Sequence, residues 1–75
     1  MNKARRKEIA MVKAELEEIK ERIKNILDDE QNYFDKMPEN LQGSERGSDS
    51  EDAISYLEDA IDYVEQSVDA LEDII

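Results

Sequence analysis

The side chains that could do chemistry in this sequence are mostly carboxylates, and they are concentrated in its last third. Acidic residues recur there at spacings of three and four, which place carboxylates along one side of a helix. Helical bundles that bind metal ions through carboxylates also use histidine in Glu-x-x-His motifs, and this sequence contains no histidine. We therefore expect no metal site.

The acidic side of this helix has two further interpretations. It is either a solvated surface, which is common, or a surface that binds a basic partner. The second interpretation includes mimicry of DNA, in which carboxylates on a rigid helix occupy the phosphate-binding groove of a nuclease or DNA-binding protein. The residues that we assign to this acidic face are Asp59, Asp62, Asp69 and Asp73.

No residue pattern typical of an enzyme is present. The chain has neither cysteine nor histidine, and its two glycines do not form a phosphate-binding loop. The sequence therefore indicates a non-enzymatic protein without cofactors. No apolar run is long enough to span a membrane, and no signal peptide is recognisable, so we expect a cytoplasmic protein without a membrane partner.

Four basic residues stand at the start of the chain, Lys3, Arg5, Arg6 and Lys7, although the formal net charge is −11. Such a cluster could contact nucleic acid or an anionic membrane, but four charges beside an acidic body are a weak signal for either. We expect the cluster to neutralise acidic residues of a partner subunit, or to fray. Direct binding to nucleic acid is not expected.

The elements that must position these residues are two predicted helices, over residues 3–37 and 50–75, joined by a connector at 38–49. The first helix ends before Pro38, because the residue preceding a proline avoids the α region. The connector holds the only proline and both glycines. In both helices apolar residues alternate at spacings of three and four, the heptad pattern of a coiled coil. The chain is thus one helical-hairpin domain.

The two heptad patterns match when the helices run antiparallel. One register brings apolar side chains together in every layer but one, and it also pairs Lys13 with Glu72 and Lys20 with Glu65. Exposed ion pairs of this kind contribute about 0.2–1 kcal/mol each, so they select the register rather than drive folding. The predicted seam comprises Val12, Leu16, Ile19, Ile23, Ile26, Tyr33, Ile54, Leu57, Ile61, Val64, Val68, Leu71 and Ile75.

The exceptional layer contains Glu30. A lone buried carboxylate is costly, and a helix of 3.6 residues per turn drifts relative to a heptad repeat. We therefore expect Glu30 to lie exposed at the edge of the seam.

A single seam between two helices leaves much apolar surface exposed in a chain of 75 residues. The apolar residues outside the seam predict a second surface, formed by Leu27, Phe34, Tyr56 and Tyr63. The tyrosines could also stack bases, but no basic groove surrounds them. We expect an all-α fold, an antiparallel two-helix coiled-coil hairpin that dimerises into a four-helix bundle.

The basic opening NKARRKEI, the connector MPENLQGSERG and the Ala-Ile-x-x-Leu-Glu-x-Ala pattern of the second helix resemble a group of short acidic helical-hairpin proteins of gut Firmicutes and of their phages or mobile elements. The resemblance covers nearly the whole chain. It implies a phage or mobile-element role, but it brings no established activity and no functional residues.

Two functions are compatible with these observations. The first is a non-enzymatic interaction or regulatory module that self-associates, as a homodimer, and binds an unidentified protein partner. The alternative is an acidic DNA-mimic inhibitor of a nuclease or DNA-binding protein, encoded by a phage or mobile element.

Overall fold

The computed structural model describes all 75 residues, and its only secondary structure is α-helix. It contains α1 (Lys3–Asp35), α2 (Glu39–Gln42) and α3 (Glu45–Ile74). The predicted all-α class is thereby confirmed. Asn2 caps α1 by accepting a hydrogen bond from the backbone N–H of Arg5 at 2.8 Å. No helix is long and apolar enough to cross a membrane.

α1 and α3 pack side by side and run in opposite directions. The Nζ atom of Lys13 lies 3.9 Å from Oε1 of Glu72, and that of Lys20 lies 3.5 Å from Oε1 of Glu65. Residue numbers therefore rise along α1 as they fall along α3, which makes the pair an antiparallel hairpin in the predicted register. The molecule is a rod of 58 × 14 × 12 Å.

The link between the long helices is shorter than the connector predicted at 38–49. α2 forms a single turn after Pro38, and α3 begins at Glu45 rather than at Ser50, with Ser44 as its N-cap residue. The side chain of Gln42 closes the end of α1, because its Nε2 donates to the carbonyl oxygens of Phe34 at 3.1 Å and Met37 at 3.2 Å. α1 itself ends at Asp35, two residues before the predicted boundary.

Gly47 lies where the backbones of α2 and α3 approach each other closely, so it does more than interrupt a helix. It is buried in the first turns of α3, and a Cβ atom built on it would overlap the carbonyl group of Gln42. Only glycine lets the backbone of α2 approach this closely. Gly43, in contrast, has no neighbouring atom within 4 Å of a built Cβ.

We expect Gly47→Ala to lower the free energy of unfolding by about 1–2 kcal/mol. The overlap costs up to about 3 kcal/mol, whereas alanine gains only about 1 kcal/mol over glycine in a helix. Gly43→Ala is the matched control and should be neutral or stabilising by up to about 1 kcal/mol. Urea unfolding followed by circular dichroism measures both variants, and equal effects would contradict the close approach.

The core of the rod is thin. Its buried apolar side chains are Met37, Ile61 and Val68, and no large side chain is fully buried. The chain exposes 5756 Å², whereas a compact monomer of 8.7 kDa is expected to expose about 4,700 Å². The hairpin therefore leaves about 1,000 Å² more surface in water than a compact fold of its mass.

The α3 side of the seam lies against α1 for most of its length. Ile61 and Val68 are buried and Ile54, Leu57, Val64 and Leu71 are half-buried, while Ile75 at the chain end is exposed.

The α1 side differs from the predicted seam. Leu16 and Ile23 are half-buried as expected, but four other predicted seam residues of α1 are exposed: Val12, Ile19, Ile26 and Tyr33. Leu27 and Phe34, which we expected on an oligomer surface, are half-buried in the hairpin. α1 is thus rotated about its axis, because burying Leu27 and Phe34 turns the row that contains Val12 and Tyr33 outward. Glu30 is half-buried rather than exposed.

Candidate interaction face

One side of the rod carries an exposed apolar row from α1. Val12, Ile19, Ile26 and Tyr33 recur every seven residues, so they lie in line along the helix. Their side chains are 41–55% exposed. Scattered apolar residues are normal on a surface, but a row of four large ones over six turns is a contiguous patch.

α3 extends this patch on the same side. Tyr56 and Tyr63 are 73% and 66% exposed and lie one heptad apart. Ala53 and Ala60, also one heptad apart, are half-buried between the tyrosines and α1. The small alanine side chains make this strip the floor of a groove between two rows of larger side chains.

The groove is open and mainly apolar at the level of Ile26 and Tyr33. These two residues line a depression of about 690 Å³ together with Ala53, Tyr56 and Leu57. We call the combined surface the apolar face and define it by Val12, Ile19, Ile26, Tyr33, Ala53, Tyr56, Ala60 and Tyr63. Its shape can accept a helix or a row of side chains from another protein.

An acidic pocket of about 420 Å³ adjoins the apolar face at the connector end of the rod. It shares Glu30 and Tyr33 with the apolar groove. Its other lining residues are Glu45, Arg46, Asp49 and Ser50. None of the carboxylates that line this pocket forms an ion pair within the chain. Arg46 is the only cation among the lining residues.

Ser50 adds an unsatisfied polar group to the acidic pocket. Its side chain is 2% exposed, and its Oγ atom has no hydrogen-bond partner. A buried hydroxyl without a partner costs about 1–3 kcal/mol, so Ser50 lowers the stability of the hairpin at the wall of this pocket.

The opposite edge of the rod is closed by the Lys13–Glu72 and Lys20–Glu65 ion pairs. The two lysine side chains are half-buried, so their aliphatic stems cover apolar surface between the helices. This edge offers no exposed apolar row, and the apolar face is therefore confined to one side of the hairpin.

The four residues assigned to the acidic face are separate from the acidic residues of α3 that pair with α1. Asp59, Asp62, Asp69 and Asp73 are all exposed, and none of them forms an ion pair. No three carboxylates come close enough together to hold a metal ion.

The basic start of the chain projects beyond the end of α3. The Lys13–Glu72 contact places Ile75 about level with Ala10, so the first two turns of α1 have no neighbouring helix. Lys3, Arg5, Arg6 and Lys7 are exposed and form no ion pair. Arg5 precedes Val12 by one heptad and continues the exposed row of α1.

The apolar face combines residues that sequence reasoning placed in different surfaces. It assigned Tyr56 and Tyr63 to an oligomer surface but Val12, Ile19 and Ile26 to the hairpin seam. The usable signal was that α1 carries two adjacent apolar rows, one with Ile26 and Tyr33 and one with Leu27 and Phe34, which cannot both be central to the contact with α3.

No family model matches the chain, and no curated protein or solved structure is significantly similar to it.

Proposed function

We propose that the protein is a non-enzymatic protein–protein interaction module that acts as a homodimer. Two antiparallel coiled-coil hairpins pack through their apolar faces and form a four-helix bundle. The observation that carries this proposal is the contiguous apolar face beside a core with no fully buried large side chain. The dimer then presents its acidic surfaces to a further protein partner.

The exposed area supports the same proposal. The chain leaves about 1,000 Å² more in water than a compact monomer of its mass, as described above. A standard protein–protein interface buries about 800 Å² per partner. One interface on the apolar face therefore accounts for most of the excess, and closed two-fold assembly is the commonest way to bury a self-complementary patch.

Sedimentation equilibrium tests self-association directly. We expect a dimer that dissociates on dilution between about 1 mM and about 1 μM, the range that corresponds to about −4 to −8 kcal/mol of binding free energy. The measurement requires about 0.15 M salt, where a Debye length of about 8 Å screens the repulsion between two acidic chains. Thermal unfolding should shift to higher temperature with protein concentration. A monomer throughout this range would contradict the proposal.

A second candidate function is inhibition of a nuclease or DNA-binding protein by DNA mimicry, in a phage or mobile element. The observation that favours it is the set of exposed and unpaired carboxylates at Asp59, Asp62, Asp69 and Asp73 on a 30-residue helix. Their spacing along α3 presents negative charge at intervals on one side of a rod, as a nucleic-acid backbone does.

DNA competition separates this second candidate from an interaction module without mimicry. Mimicry predicts that basic DNA-binding proteins bind the chain, that DNA displaces it, and that binding weakens steeply as salt rises. Asp62→Asn with Asp69→Asn should weaken such binding, whereas Glu18→Gln with Asp28→Asn, which removes the same charge from α1, should not. Equal effects of the two variants would attribute binding to net charge alone.

A further inference from the structure

We propose that the second copy lies antiparallel to the first and that Arg5 of each copy enters the acidic pocket of the other. This inference rests on the proposed self-association and specifies which surfaces meet in it. It assigns an occupant to the exposed α1 row of the apolar face and a counter-charge to the pocket lined by Glu30, Glu45 and Asp49.

The spacing of the exposed α1 row determines how the two copies align. Its apolar part runs from Val12 to Tyr33, and its midpoint falls between Ile19 and Ile26. A two-fold axis perpendicular to the rod at that midpoint places Val12 of each copy level with Tyr33 of the other. It also places Ile19 level with Ile26, so every apolar member of the row faces an apolar counterpart.

The same axis determines the position of the basic overhang, the start of α1 that projects beyond the end of α3. Arg5 lies one heptad before Val12, and its counterpart position lies one heptad beyond Tyr33, past the end of α1. The register of the Lys13–Glu72 pair places Glu45 at that level. Arg5 of the second copy therefore arrives at the acidic pocket without any change in either hairpin.

Charge and hydrogen bonding at the pocket support this contact. Glu30, Glu45 and Asp49 have no ion-pair partner in their own chain, and neither has Arg5. A guanidinium offers five N–H donors, which suits a pocket lined by three carboxylates. Tyr33 also lines this pocket, and an aromatic ring attracts a cation that lies over its face.

A parallel arrangement of the two copies lacks this complementarity. It places the two connector ends side by side, and these ends are acidic. Each one contains Asp28, Asp29, Glu30, Asp35, Glu39, Glu45 and Asp49. It also leaves both basic overhangs together at the other end of the dimer. Like charges at such short range oppose association, so the antiparallel arrangement is favoured.

Charge reversal at Arg5 tests the contact. We expect Arg5→Glu to raise the dimer Kd by about tenfold or more, since it removes one charge-assisted contact from each of the two pockets. Lys7→Glu is the matched control, because it makes the same charge change on the opposite side of the same helix turn. Its effect should stay within about threefold. An acidic residue near the start of α1 favours the helix, so neither variant should unfold it.

A compensating pair of charge reversals tests the contact more specifically than a single substitution. Asp49→Arg alone should also weaken the dimer, and Arg5→Glu combined with Asp49→Arg should recover most of the lost affinity. The proposal is overturned if Arg5→Glu and Lys7→Glu have equal effects, or if the double variant is weaker than either single variant. Either result leaves the dimer of the unmodified chain intact, and so leaves the proposed self-association standing.

Spin labels on a single cysteine at Asp35→Cys test the orientation independently. In the antiparallel dimer the two labelled positions are separated by about 37 Å along the rod, from the rise of 1.5 Å per residue. In a parallel dimer they lie at the same level, and the measured distance is much shorter. A short distance would overturn the antiparallel assignment, whereas an unmodified chain that is monomeric at all concentrations would overturn self-association itself.

Discussion

Ile61→Ala is expected to lower the free energy of unfolding by about 2–4 kcal/mol, which is a large share of the total for a chain of this size. Ile61 is only 9% exposed and is one of three buried apolar side chains in the hairpin. Truncation removes three carbons from a core that has no fully buried large side chain to compensate. Urea unfolding followed by circular dichroism should show an earlier midpoint.

Ile75→Ala is the matched control for Ile61→Ala. Both positions belong to the same predicted seam row of α3, two heptads apart, and periodicity alone gives them the same role. The structure distinguishes them, because Ile75 is 49% exposed at the end of the chain. We expect a change of at most about 0.5 kcal/mol for Ile75→Ala. Similar losses for both variants would show that the two positions pack equally.

The sequence was informative about α3 because one helical face is unambiguous there. Ile54, Leu57 and Ile61 recur with seam spacing, and the residues on the opposite side are charged. All the large aliphatic residues of α3 before its last turn belong to this face, so the aliphatic pattern identifies the side that packs against α1. The register against α1 was also accessible from sequence, because the lysines of α1 and the glutamates of α3 that pair in the structure are separated by the same heptad interval.

The rotation of α1 was not accessible in the same way. Its apolar residues cover more than one row, with Leu27 and Phe34 beside the row of Ile26 and Tyr33. A heptad assignment keeps one row of residues at the helix–helix contact along the whole length of α1. In the folded hairpin, the row that lies against α3 is the one that buries more apolar volume. The larger burial of Leu27 and Phe34 turns Ile26 outward, and this choice produces the apolar face.

The connector shows a second limit of sequence reasoning. Gly43 and Gly47 look alike as helix breakers, yet Gly47 lies inside α3. Its role depends on how closely Gln42 approaches, which is a tertiary contact that no local propensity encodes. The acidic pocket follows from the same geometry, because extending α3 back to Glu45 brings Glu45 and Asp49 beside Glu30.

In the proposed dimer, Ile26→Asp is expected to raise the Kd by about 1,000-fold. Ile26 lies near the centre of the apolar face and lines its groove with Tyr33 and Tyr56. Each copy loses about 1 kcal/mol of apolar burial and pays at least about 1 kcal/mol to desolvate a carboxylate. Because a two-fold interface contains the residue twice, the total is about 4 kcal/mol, which sedimentation equilibrium detects as a monomer at concentrations where the unmodified chain dimerises.

Asn25→Asp is the control that separates burial from charge. It also adds one negative charge to each copy, at an exposed neighbouring position of α1 that points away from the apolar face. We expect less than a threefold change in its Kd at about 0.15 M salt, because exposed charges are well screened there. Ile26 is 55% exposed in the hairpin, so Ile26→Asp should keep the helical circular dichroism of the monomer. Equal weakening by both substitutions would attribute the loss to repulsion between acidic chains, and unchanged dimerisation of Ile26→Asp would place the interface elsewhere.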